Sequence, residues 1–134
     1  MRQIFFNRAE KQLERLEKMG DPFIKMNELI DWEIFRKLLE ETLRKPDRRQ
    51  GGRPAHDVIL MFKIVMLIAW YNLSYNQAEY QINNRLDFMR FLDVEIGTKL
   101  PDENTIWDFK EALKKHGLDR ELFELFNSKL QIMA

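Results

Sequence analysis

A chain of 134 residues, 45% hydrophobic and 33% charged, is sized for one globular domain with a core of its own. Its 22 basic and 22 acidic residues cancel, so affinity for nucleic acid has to come from a local patch, because binders of that class ordinarily carry a basic excess. The absence of cysteine excludes a disulfide framework and thiolate metal sites, and fits a cytoplasmic protein.

In chain order, the pattern is helical throughout and no strand is readable. From about Ile4 to Met19, Phe5, Ala9, Leu13 and Leu16 share one helical face, and the first residues carry charges too early for a signal peptide. Gly20-Asp21-Pro22 breaks that pattern. Asp31 can cap a second helix with Trp32, Phe35, Leu39 and Leu43 along one side, ending near Lys45-Pro46. Residues 44–54 then read as a loop rich in glycine and proline.

Asp57 can cap a helix running to about Tyr71, apolar on nearly every side and interrupted only by Lys63. Its length of roughly 14 residues falls short of the ~20 that a membrane span needs, so it reads as a core helix. Ser74 with Gln77 forms a capping box for the next helix, expected to continue to Leu92 with Ala78, Ile82, Leu86, Met89 and Leu92 as its core face.

After a loop at 93–100 comes the segment Leu-Pro-Asp-Glu-Asn-Thr-Ile-Trp-Asp-Phe-Lys-Glu-Ala-Leu. Pro101 stops what precedes it. Asp102, Asn104 and Thr105 are candidate caps, and Thr105 with Asp108 resembles a capping box. Ile106, Phe109 and Leu113 form one apolar stripe, and Gly117 supplies the stop. A final helix from about Asp119 to Met133 carries a wide apolar face of Leu122, Phe123, Leu125, Phe126 and Leu130, which either closes the core or awaits a neighbour. The expected fold is therefore an all-α bundle of five or six helices. It forms one domain over 1–134, with N-terminal helices to 45, a basic loop at 46–56 and a helical core from 57.

Catalytic chemistry is poorly provided for. His56 and His116 are far apart and neither has a partner at zinc-ligand spacing, so no metal or other cofactor is expected. Ser74 and Ser128 are the only serines, and Gly51-Gly52 lacks the flanking pattern of a phosphate loop. Charge is more informative. Between residues 44 and 53, Arg44, Lys45, Arg48, Arg49 and Arg53 stand against the single anion Asp47. Arginines on such a loop can follow a phosphate backbone or enter a minor groove, while the alternative is a solvated linker or pairing with acidic helices. The helix after Pro101 is acidic at its start, so phosphate contact there falls to Lys110, Lys114 and Lys115. Base reading falls to Asn104, Thr105 and Trp107.

Three motifs in fixed order carry a family resemblance: GGRPAHDVILMFKIVMLIAWYNLS from Gly51, the helix over 77–92, and LPDENTIWDFKEAL from Leu100. Over roughly residues 28–130 the chain resembles the N-terminal domain of bacterial insertion-sequence transposases of the InsH type. Gly52, Arg53, Pro54, Trp70, Tyr71, Leu73, Ser74, Leu100, Pro101, Asp102, Thr105, Ile106, Phe109 and Leu113 match its pattern, and Lys110 stands where the family favours arginine. The resemblance implies a helix-turn-helix-like domain that recognises the terminal inverted repeats of a mobile element and supports dimerisation. It also implies that strand cleavage belongs to a following Asp-Asp-Glu domain, so no acid here is assigned a catalytic role. The rival expectation is a helical oligomerisation module, or a shortened transposase acting through mixed dimers with the full-length protein.

Overall fold

The structure, a computed structural model, describes residues 20–43 and 56–133, together with Lys11 and Lys18. Seven helices occupy the described residues: α1 (Pro22–Leu29), α2 (Glu33–Leu43), α3 (Val58–Tyr71), α4 (Tyr75–Asn84), α5 (Leu86–Leu92), α6 (Glu103–Lys115) and α7 (Leu118–Met133). No strand is present among these residues. The expected helix over 4–19 lies outside the described residues, apart from Lys11 and Lys18.

Two corrections account for the higher helix count. The first is α1, where Gly20-Asp21-Pro22 reads as a break but also starts a helix. The Asp21 carboxylate accepts the Phe23 N–H at 2.9 Å, and Pro22, lacking an N–H, takes the first helical position, where that donor would have no partner anyway. The second is at Arg85, which is extended and divides the expected 77–92 helix into α4 and α5. Asn83 and Asn84 donate their side-chain amides to the carbonyls of Glu79 and Tyr80, an arrangement that competes with continuing the helix. The Arg85 guanidinium then bonds Asp87 and Gln81 and lies 3.8 Å over the Phe88 ring, holding the bend.

Other expectations hold. Asp31 and Asp57 each accept a backbone N–H at the start of α2 and α3, and Ser74 with Gln77 forms a complete capping box. The α3 helix is the axle of the fold, buried from Ile59 to Ile68 except for the half-buried Leu60, and packed against α2, α4, α5 and α6. Burial on all sides follows from an apolar sequence with no polar face to offer water. Leu118, Leu122 and Phe126 of α7 are also buried, and Phe123 and Leu125 pack against the same core. These residues of the wide face of α7 thus pack on the core of this domain; the Leu130 side chain lies outside the described part.

Among the described residues, Lys63 is the one charged group in the core, 5% exposed. Its ammonium donates to the Phe91 carbonyl at 2.6 Å and to Asn27 Oδ1 at 3.1 Å, and lies 4.8 Å from the centroid of the Trp32 ring and 4.9 Å from that of Phe91. Asn27 Oδ1 also accepts from Trp32 Nε1, and its amide donates back to Phe91 O. Burial pushes the Lys63 pKa down to about 8, while Asp93 and Asp57 pull it upward. Because the folded value lies below the unfolded one, the unfolded chain binds more protons between them, and the burial penalty, complete below pH 8, is relieved as pH rises. Urea unfolding of wild type and Lys63→Met at several pH values should show wild type gaining on the variant between pH about 8 and 10.5. A flat difference across that window would contradict the assignment.

Candidate nucleic-acid interface

The expected binding residues fall into two groups, one inside and one outside the described part of the chain. Arg44, Lys45, Arg48, Arg49 and Arg53 lie outside it. The helices on either side of that loop are tied together by Arg36 of α2, which pairs with Glu33 on its own helix and with Asp57 at the start of α3. Burial would raise the Asp57 pKa, but the hydrogen bonds and charge of Arg36 more than offset it and hold the carboxyl below the usual range.

The second group sits on α6 and divides by side. Ile106 and Leu113 face the core, with Phe109 half-buried beside them. Asn104 is exposed and Trp107 is 49% exposed. They lie on the same side as Asp108 and Glu111 by helical spacing, so this side is acidic as well as aromatic. Lys110 is on the other flank, with its ammonium 5.7 Å from the centroid of the Tyr75 ring of α4. Lys114 and Lys115 are exposed, and Lys114, seven residues after Trp107 and three after Glu111, shares their side of the helix. Of the three lysines, Lys110 is the one set against α4.

Thr105 is not a free base reader. Its backbone N–H donates to Asp102 Oδ1 at 2.8 Å, and its hydroxyl bonds the same carboxylate. The cap of α6 is Asp102, so the capping box expected between Thr105 and Asp108 does not form; Thr105 is already inside the helix, at the third position. A second carboxylate reaches this end from α4, where Glu79 Oε1 accepts the Glu103 N–H at 2.8 Å. Two acids thus occupy donors that would otherwise greet a phosphate at the start of α6.

The Thr105 N–H, then the Thr105 hydroxyl, hold the Asp102 carboxyl below its usual value, with Asn104 N–H and the nearby His56 adding to the effect. That proximity puts His56, the first described residue after the basic loop, at the same end of the bundle as the start of α6. Contacts of Tyr75 with Lys110 and of Glu79 with Glu103 mean that α4 runs antiparallel to α6.

The sequence reading passed over the outer face of α4. Asn76, Tyr80, Asn83 and Asn84 recur at i, i+4, i+7 and i+8 and are all exposed, Tyr80 by 69%. Ala78 and Ile82 hold the opposite face in the core. The signal was an amide-rich stripe at helical spacing directly after a capping box. The α3 and α4 axes turn by 110° across the three residues Asn72, Leu73 and Ser74, with Asn72 in the left-handed conformation at φ 52°.

A cleft of about 430 Å³ is lined by Arg36, Asp57, Lys63, Asp93 and apolar neighbours. Its charged groups are already engaged with one another or with the core network. Among the described residues, no group of three or more His, Asp or Glu is arranged to hold a metal ion. No single helix among them is long and apolar enough to cross a membrane.

Comparison with known families decides the wider context. The model of the DUF772 transposase domain matches residues 11–112. The chain belongs to this transposase-domain family. Its matched region takes in the basic loop, α1 to α5 and most of α6, so the α4 face and Lys110 lie within it, while Lys114 and Lys115 lie just beyond. No solved structure matches the chain.

Because the folded-state pKa of Asp102 is depressed, its stabilising contribution is complete above pH 3.8 and is lost as pH falls below it. Asn can cap in its place without titrating. Thermal melts of wild type and Asp102→Asn should show wild type losing ground to the variant as pH falls below 3.8. Parallel pH profiles would remove Asp102 from the cap.

Proposed function

We propose that this chain is the DNA-binding and assembly part of an insertion-sequence transposase, recognising the terminal inverted repeats of its element and holding no catalytic centre itself. The observation that carries the reading is the transposase-domain match over residues 11–112. It fits a helix-turn-helix-like core, the resemblance to InsH-type transposases in the motifs at Gly51 and Leu100, and a homodimer or a pairing with full-length transposase as the working assembly.

Affinity on this reading is electrostatic and local. A chain with no net charge attracts DNA only where cations collect, and they collect in two places. One is the loop holding Arg44, Lys45, Arg48, Arg49 and Arg53, suited to the backbone or a minor groove. The other is the second half of α6, with Lys110, Lys114 and Lys115, away from the acids Asp102 and Glu103 at its start.

Fluorescence anisotropy with a labelled duplex, ideally the element's terminal repeat, over a salt series tests this. Binding should weaken steeply as salt rises, and Arg48→Ala with Arg49→Ala should weaken it on every sequence alike. Each lost phosphate contact should reduce the log–log salt slope by about 0.9. Salt-insensitive binding, or an unchanged slope in the double variant, would overturn the role of the loop.

A further inference from the structure

The helix that reads base edges need not be the one beginning at Asp102, and the structure favours another. We propose that α3 and α4 act as a helix-turn-helix, with the outer face of α4 entering the major groove through Asn76, Tyr80, Asn83 and Asn84. This rests on the DNA-binding reading above and assigns the base-contacting surface within it.

Four observations converge. The first is the turn: two helices meeting at 110° across three residues fall within the 90–120° and three- to four-residue connection of DNA-reading helix pairs. Asn72 provides the left-handed residue that the reversal needs, and Ser74 with Gln77 closes the start of α4 with neutral groups. The second is position, because Ala78 and Ile82 anchor α4 from behind and leave the opposite stripe exposed over its full length. At 10 residues, or about 15 Å, the helix is long enough to lie in a groove about 12 Å wide.

The third is chemistry. The exposed stripe holds three amides and a phenol and no charge, and asparagine pairs in bidentate fashion with adenine N6 and N7. Asn83 and Asn84 each give one N–H to the carbonyls of Glu79 and Tyr80 and keep the second N–H and Oδ1 for such a pair. The single acid of α4, Glu79, is turned to the Glu103 N–H, so it does not oppose a phosphate from that stripe. By contrast, the exposed side of α6 carries Asp108 and Glu111, and its start is closed by Asp102 and Glu79.

The fourth is the placement of a cation. Because α4 and α6 are antiparallel, Lys110 borders the first turn of α4, with its ammonium 5.7 Å from the Tyr75 ring. A positive group thus stands beside the start of a neutral, amide-bearing helix, an arrangement in which a backbone contact sets the position and the helix reads sequence.

The test is selection from a randomised 30-bp duplex library (about three helical turns) with the full chain. Wild type is compared with Asn76→Ala/Asn83→Ala and with Asn104→Ala/Trp107→Ala, all confirmed as folded by circular dichroism. Wild type should enrich a motif containing adenine. The α4 variant should lose roughly tenfold to a hundredfold of the preference for that motif over unselected DNA, with nearly unchanged affinity for unselected DNA, and the α6 variant should keep the preference. An α4 variant that selects the wild-type motif, or an α6 variant that loses it, would overturn the assignment. Salt-dependent binding by wild type with no enriched motif would also overturn it while leaving the DNA-binding role intact. Absence of binding at any salt would remove both.

Discussion

The fold turns on how one ammonium group is accommodated. Lys63 interrupts the most apolar helix of the chain, and four elements converge on it: Asn27 from α1, Trp32 at the threshold of α2, Lys63 itself from α3, and Phe91 from α5. A buried charge costs several kcal/mol unless its donors and its field are answered. Here a carbonyl, an amide oxygen and two ring faces answer it. The same partners bond one another, so the cluster is closed, and removing Asn27 would leave Trp32 Nε1 without its acceptor. Around it runs a chain of aromatic contacts, in which Trp32 meets Phe35, Phe62, Phe91 and Phe126, and Phe23 meets Trp70, Phe88 and Phe91.

That cluster has consequences for the surface. It anchors α5, and α5 is joined to α4 through the bend at Arg85, whose guanidinium lies over the Phe88 and Tyr71 rings. With α3 fixed at one end of α4 and α5 at the other, the orientation of α4 is set from both sides. A helix meant to present side chains to a partner needs such support, because contacts held loosely lose geometric precision. Below it, Glu79 links α4 to the start of α6 and spends its charge there, clearing the outer face of acid.

Much of this could be read from residues alone where the signal was local. The caps at Asp31, Asp57 and Ser74 and the stripe of Ile106 and Leu113 stand where spacing placed them. The failures were of two kinds. At Asp21-Pro22 and at Arg85 one sequence pattern supported opposite readings, since proline ends one helix and starts another, and an apolar period persists through a bend when both pieces pack on the same core. At Lys63 and Glu79 the decisive partners, Phe91 and Glu103, are 28 and 24 residues away, and no local pattern reports them. The outer face of α4 gives no charge signal at all, although uncharged amides are suited to reading bases.

The proposed reading makes a geometric claim: DNA lies across α4 and touches Lys110, leaving the Asn104 and Asp108 side of α6 uncovered. An NMR titration of the isotope-labelled chain with a short duplex at low salt would test it most directly, by following backbone and asparagine side-chain amides. The account predicts the largest shifts along residues 76–84, at Lys110 and in residues 44–53, with little change at Asn104 and Asp108. Shifts centred on Asn104 and Asp108 with α4 unperturbed would contradict it.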